Sequence, residues 1–517
     1  MYLTNALLRS VQQSPDKLAT LFRGRRRTFA ELQQRVARLA AGLRAHGMGA
    51  NDRVGMLALN SDRYLEYALA TWWGGGVVNP VNIRWSAPEI VYSLDDSDTR
   101  ILLVDDHFLK LVPEILCTAR HKPLLIHVGD GDAPDGMLSF EGLIAGHAPI
   151  ADAARGGADL AAIMYTGGTT GFPKGVMQTH LNIWASCVQR LAELPPTPGA
   201  VLHAAPLFHV AGLGRALVQF LAGLPHVIIP GFDAGEVIRT IEEYGVSETL
   251  LVPTMIQAVL EHPDFRPSRL RSLRRLVYGA SPISAAVLDR LIEALPELEL
   301  SHSYGMTEAC PSISSNPPVN HGPEARESGL YRSVGRGGLG MLVRVVDGEG
   351  NEVPRGTVGE IIARGANMMA GYWNKPEETA QALRDGWLYT GDGGYMDDNG
   401  YLFIVDRVKD MIVSGGENVY SAEVENVLGR HPAVSASAVI GVPDERWGEA
   451  VHAVVVLRPG VQASEVELRE HCRQFIAGYK CPKSVEFREA LPLSGAGKIL
   501  KRDLRAPYWE GRTRAVN

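Results

Sequence analysis

Runs of apolar, β-branched residues alternate with segments of helical period through the first half of this chain. That alternation limits the fold more than any other feature. Thr28-Phe-Ala-Glu31 carries a capping-box signature. Leu32, Val36, Leu39 and Leu43 then recur at helical spacing until Gly47 ends the helix. Residues 54–59 read as a continuous apolar strand. The unit repeats, with helices over 64–73 and 234–244 and strands over 101–104, 227–229, 248–252 and 276–278. Strands apolar on both faces belong to largely parallel sheets covered by helices on both sides, so the class is α/β.

From about Val334 the texture changes. Short strands separated by Asp347-Gly-Glu-Gly350 and Asp397-Asp-Asn-Gly400 predict a small β-rich module of hairpins. After Asp406 the pattern is α+β, with helices over 422–428 and 464–475 and strands over 434–441 and 452–457. A chain of 517 residues exceeds what one core can serve. The change near Asp406–Asp410 divides it into 1–406 and 407–517.

A net charge of −7 argues against a nucleic-acid binder. The one dense basic run, Arg23-Gly-Arg-Arg-Arg27, reads as a solvated turn between a strand and a helix, with weak docking on an anionic membrane surface as the sharper alternative. Five scattered cysteines without a CxxC pair are reduced, cytoplasmic usage. The start of the chain is amphipathic and lacks a cleavable apolar core. Prolines, histidines and Arg215 break the most apolar stretch, residues 201–232, so no transmembrane segment is expected.

The strongest chemical signal is Met164-Tyr-Thr-Gly-Gly-Thr-Thr-Gly-Phe-Pro-Lys-Gly-Val176. An apolar strand enters a loop of glycines and threonines that a lysine follows. Glycines let successive backbone N–H groups converge on phosphate oxygens, threonine hydroxyls add donors, and Lys174 adds a compact positive charge. The spacing is not that of a Walker A loop. Gly335-Arg-Gly-Gly-Leu-Gly340 matches GxGxxG by letter, yet a strand follows it and not a helix, so it reads as a turn. Further motifs stand in order along the chain. They are Ser303-Tyr-Gly-Met-Thr-Glu308, Tyr389-Thr-Gly-Asp392, Asp406-Arg-Val-Lys-Asp410, Met411-Ile-Val-Ser-Gly-Gly-Glu-Asn-Val419 and Gly495-Ala-Gly-Lys498.

In this order and separation, the segments resemble the core motifs of the adenylate-forming superfamily, which includes acyl- and aryl-CoA synthetases, peptide-synthetase adenylation domains and beetle luciferases. Gly415-Gly-Glu-Asn-Val-Tyr420 and Pro443-Asp-Glu-Arg-Trp-Gly448 resemble those of fatty-acyl-CoA and chlorobenzoate/coumarate-type ligases in particular. The resemblance implies a large N-terminal domain of two parallel-sheet α/β subdomains plus a small β-barrel-like one, and a smaller mobile α+β C-terminal domain. It implies an acyl-CoA synthetase that uses ATP, Mg2+ and coenzyme A on a carboxylic acid. A medium- or long-chain fatty acid is the first expectation, and an aryl or phenylpropanoid acid the alternative. A possible homodimer is also implied.

By the same resemblance, Thr166, Gly167, Gly168, Thr169, Thr170, Gly171 and Lys174 grip phosphates. Tyr304 stacks on adenine, Thr307 meets the α-phosphate and Glu308 ligates magnesium. Asp392 accepts from the ribose hydroxyls, with Arg407 assisting. Lys498 bridges the substrate carboxylate and the α-phosphate in the adenylation step only. Lys409 is the hinge. Gly415, Gly416, Glu417, Trp447, Lys480 and Lys483 serve coenzyme A. His209 gates an acyl pocket lined by Val210, Ala211, Gly279, Ala280, Gly305 and Met306, where small residues leave room for a bulky acid. Two positions depart from the family's pattern. Gly167 replaces a serine, removing one hydroxyl, and Cys481 stands where an arginine meets the coenzyme A nucleotide, with Lys480 and Lys483 as candidate substitutes. Only 19 residues follow Lys498, which leaves no room for a fused carrier domain, although a free-standing carrier remains an alternative acceptor.

Overall fold

The computed structural model describes residues 2–510 except 167–172, 282, 408–409, 415–416 and 495–497. Two large sheets form its frame. In one, nine strands run in the order Arg336–Gly337, Ser312–Asn316, Glu299–Gly305, Arg275–Gly279, Val246–Leu251, Ala200–His203, His226–Ile228, Leu18–Phe22 and Arg25–Thr28. In the other, eight strands run Gly371–Tyr372, Lys174–Thr179, Leu160–Thr166, Val77–Pro80, Arg53–Leu57, Thr99–Val104, Leu124–His127 and Leu138–Ser139. The interior pairings of both sheets are parallel, and antiparallel pairs occur only towards their ends. This is what strands apolar on both faces require.

The predicted capping box is present. Glu31 N donates to Thr28 Oγ1 at 3.2 Å and Thr28 N donates to Glu31 Oε2 at 2.7 Å, starting helix Phe29–Ala45. Its buried Leu32, Val36, Leu39 and Leu43 join Tyr64, Trp72 and Phe220 in one continuous core. Strand Leu342–Val346 follows Gly335–Gly340 as expected, but within that segment Arg336–Gly337 is a short edge strand paired with Ser314 and Ser315, where a turn was expected.

The arginine run departs from its expected form. Only Arg23 and Gly24, both at positive φ, make a turn. Arg25–Thr28 is a strand at the edge of the nine-stranded sheet, so Arg25 and Arg27 share a face while Arg26 points to solvent. Arg25 pairs with Asp62 at 2.9 Å and Arg27 with Glu66 at 3.0 Å, and both carboxylates are completely buried. The pattern of alternate arginines was visible in the sequence, but their counter-ions lie on helix Asp62–Trp73, remote in the chain.

The predicted hairpin module is a five-stranded antiparallel sheet of Leu342–Val346, Gly359–Arg364, Leu383–Arg384, Trp387–Met396 and Leu402–Arg407. The C-terminal segment builds a mixed five-stranded sheet around the hairpin Val434–Asp444/Gly448–Leu457. It has its own apolar cluster, which includes Ile412, Leu428, Val451, Leu468, Cys472 and Cys481. Arg84 Nη1 donates to Ser494 O at 2.7 Å, and Arg458 Nη1 lies 3.4 Å from Glu261 Oε1, so polar contacts join this segment to the rest.

Candidate active site

Strands Leu160–Thr166 and Lys174–Thr179 pair antiparallel with Thr166 opposite Lys174. The glycine-rich loop they carry, with the expected phosphate contacts Gly167, Gly168, Thr169, Thr170 and Gly171, lies outside the described residues. Lys174 Nζ sits 5.0 Å from the centre of the Tyr372 ring. Tyr372 belongs to a short strand that pairs with the same hairpin, opposite Val176. Its hydroxyl donates to Glu308 Oε1 at 2.8 Å. Glu308 and Thr307 occupy a buried 3-10 turn at the end of strand Glu299–Gly305. Gln178 Nε2 donates to Thr307 O at 2.8 Å and Met369 N to Glu308 O at 2.8 Å. The turn is thereby fastened to the hairpin, and the predicted metal ligand and the predicted phosphate lysine meet through one aromatic side chain.

Asp392 and Arg407 are register partners on adjacent antiparallel strands. Arg407 Nε lies 3.2 Å from Asp392 Oδ1, and Tyr304 Oη donates to Asp392 Oδ2 at 2.8 Å. Burial and the Asp392 charge hold the Tyr304 hydroxyl well above its ordinary pKa, so it stays a donor. The predicted adenine and ribose groups are therefore already joined to each other.

Lys498 is bonded back to Ser494. Ser494 N donates to Lys498 O at 2.7 Å, Lys498 N donates to Ser494 Oγ at 3.1 Å, and Leu493 bridges Ile499. The Arg84 contact holds Ser494 against the N-terminal half. Burial pushes the Lys498 ammonium down to about 8, with Arg407 adding to the shift and Asp392 and Glu308 opposing it. His209 feels burial and then the Lys498 charge, which bring it down to about 3. The charges of Arg407, Asp392 and Glu308 thus act on this amine, and its own charge acts on His209.

His209 caps helix Val210–Ala222, with Ala211 N donating to Nδ1 at 3.4 Å, which makes the ring neutral with its proton on Nε2. Val210 is buried, and Ala211 and Met306 are half-buried. Two pocket glycines serve a purpose that differs from the expected one. A Cβ on Gly279 would lie 2.1 Å from Ser303 O, and one on Gly305 would lie 1.7 Å from Pro311 O. The space they leave is filled by neighbouring backbone, so they permit close strand packing and do not enlarge the pocket. Ala280 follows in the left-handed region at φ 66.

Of the residues expected to serve coenzyme A, Gly415 and Gly416 lie outside the described residues, as does the hinge residue Lys409. Glu417 is exposed on strand Glu417–Val419. Trp447 is exposed in the turn of the C-terminal hairpin, with the Arg446 guanidinium 4.6 Å from its ring. Lys483 is exposed, whereas Lys480 gives its charge to Glu423 at 2.8 Å. Cys481 turns inward, with Sγ 3.6 Å from Ala477 O. The position expected to face a nucleotide is thus a core position in this chain, and Lys480 is a committed ion pair.

Sequence reasoning missed Tyr372, Gln178 and Arg84. Each acts through long-range contacts, and no local spacing signals them.

The family model described as AMP-binding enzyme matches residues 7–373, and the one described as AMP-binding enzyme C-terminal domain matches 423–498. A feruloyl-CoA synthase of an Amycolatopsis species is 41% identical over 97% of this chain and 98% of its own length. A fatty acid–acyl-carrier-protein ligase of Streptomyces coeruleorubidus is 37% identical over 98% of this chain and 96% of its own. Among solved structures, ATP-bound MatB from Rhodopseudomonas palustris superposes with a TM-score of 0.89 at 32% identity, covering 98% of this chain and 99% of that one.

Proposed function

The chain belongs to the AMP-binding enzyme family, and on that premise we propose that it is an ATP-dependent acid–CoA ligase working through an acyl-adenylate in the cytoplasm. The observation that carries this reading is the Arg407–Asp392 pair at 3.2 Å, whose charges, with that of Glu308, act on Lys498. Adenylation brings an anionic carboxylate onto the α-phosphorus of an anionic triphosphate and expels pyrophosphate. It therefore needs cations and oriented donors where charge accumulates. Lys498, bonded back to the Arg84-held Ser494, bridges carboxylate and α-phosphate. Lys174 serves the outer phosphates, Asp392 takes the ribose hydroxyls, and Tyr304 offers its ring to the adenine.

Glu308 suits magnesium. It is a buried carboxylate fixed by Tyr372, it takes part in no ion pair among the described residues, and it can add one hard oxygen to those of the triphosphate. The ion would offset the charge of the leaving pyrophosphate.

The thiol of coenzyme A then attacks the acyl carbon and AMP leaves. For this step we take 407–517 to turn about Lys409, withdrawing Lys498 and presenting the segment Ser414–Asn418. A carrier-protein phosphopantetheine thiol is a second acceptor reading, favoured by the acyl-carrier-protein ligase among the relatives. Fatty and aryl acids both have representatives among the relatives.

Lys498→Ala tests the reading. Pyrophosphate exchange should be lost while thioester formation from supplied acyl-adenylate is retained. An equal fall in both half-reactions would show that Lys498 does not have this role.

A further inference from the structure

Beyond Ala211 the pocket wall becomes charged. Ala211 and Arg215 are one turn apart on helix Val210–Ala222 and share a face. A Cβ on Gly214 would lie 3.3 Å from Pro311 Cδ, so this helix rests on the segment that follows Glu308. On strand Glu299–Gly305 the side chains of Ser301 and Ser303 alternate onto the face of Gly305, and Ser303 pairs across to Ser315. Four residues along a strand carry that face roughly 13 Å from Gly305.

Arg190, from helix His180–Glu193, closes the far end. Its Nη1 donates to Ser315 Oγ at 2.6 Å and its Nη2 to Ser301 Oγ at 3.2 Å. The neighbouring arginines have carboxylates, Arg215 with Glu248 and Arg275 with Glu299 at 2.6 Å. Arg190 is only 7% exposed and takes part in no ion pair among the described residues. Glu193 and Glu248 favour its charge from beyond ion-pair distance, but its direct partners among the described residues are hydroxyls, which are poor compensation for a buried cation. A second polar group nearby is also unmatched. Ser312, the register partner of Gly305 at a strand irregularity, is buried, and its Oγ has no partner among the described residues. Ser303 and Ser315 are half-buried, so this face is not fully sealed.

We propose that Arg190, with Ser301, Ser312 and Ser315, forms a polar end to the acyl pocket. It selects acids whose end remote from the reacting carboxylate carries a hydrogen-bond-accepting oxygen over acids that end in hydrocarbon. Such a group adds a direct acceptor for Arg190 beyond the two serine hydroxyls, whereas an alkyl end desolvates the guanidinium and gives nothing back. The inference rests on the acid–CoA ligase reading and narrows its substrate class.

The test compares kcat/KM for pyrophosphate release with 4-hydroxycinnamate against cinnamate, and with decanedioate against decanoate. The wild type should prefer the oxygen-bearing member of at least one pair by about tenfold or more. The pair that responds identifies the group as phenol or second carboxylate. Arg190→Gln should reduce that ratio to within about twofold, and Ser315→Ala should reduce it partly. Melting curves accompany both, and if Arg190→Gln does not fold, the Ser315→Ala ratio decides. Ratios near one in the wild type, or a variant that lowers both members of a pair equally, overturn the proposal. No pyrophosphate from any acid would instead sink the ligase reading itself.

Discussion

Tyr372→Phe isolates one oxygen in the candidate site. The hydroxyl donates to Glu308 Oε1 at 2.8 Å, and the ring carries Lys174 Nζ at 5.0 Å. Phenylalanine keeps the ring and deletes the donor. A hydrogen bond to a charged group contributes about 1.5–3 kcal/mol. At about 1.4 kcal/mol per tenfold, its loss should lower kcat/KM for magnesium-ATP by roughly 10- to 150-fold. Tyr372→Leu also removes the cation–π contact, about 0.5–2 kcal/mol, for a further loss of about 2- to 30-fold. Pyrophosphate release at saturating acid, repeated over a magnesium titration, reads both effects. Because Glu308 loses its fixed orientation, the magnesium concentration for half-maximal rate should rise in both variants. Wild-type kcat/KM within about twofold for Tyr372→Phe, in a protein that melts normally, would refute the claim that Tyr372 positions Glu308.

Two further outcomes follow from other parts of the molecule. Burial and Arg407 depress Lys498 to about 8, so its cation is lost as pH rises through that value, and kcat/KM for pyrophosphate exchange should fall with a midpoint near 8. Lys498→Arg should remove that limb, His209 at about 3 should add none between pH 5 and 7, and a wild-type midpoint above 10 contradicts the placement of the amine. In the N-terminal core, Arg35→Ala deprives completely buried Glu66 of bonds at 2.7 and 2.9 Å and leaves it Arg27 alone. Stability should drop by about 3 kcal/mol in urea unfolding and be restored in part by adding Glu66→Gln, and an unchanged midpoint is the failing result.

The strand and helix pattern, the Thr28 cap and the order of the motifs were legible because each is a local matter. Side-chain period, capping geometry and backbone freedom depend on residues within about a turn of one another. Asp392 and Arg407 were recognisable as site candidates by resemblance, although only the pairing of their strands sets them 3.2 Å apart. The sequence alone also determined that a phosphate-gripping loop, an acidic turn and a late lysine occur in one chain.

Tertiary structure decided the remainder. It gave Arg25 and Arg27 buried counter-ions where a solvated turn was expected, and it turned Cys481 into the C-terminal core. It committed Lys480 to Glu423 and filled the space beside Gly279 and Gly305 with backbone. It also set Tyr372 between Lys174 and Glu308, and left Arg190 with hydroxyls as its direct partners among the described residues. The physical reason is the same in each case. Whether a charge is solvated, paired or short of a partner depends on groups tens to hundreds of residues away, and only packing fixes which of them come within hydrogen-bond reach.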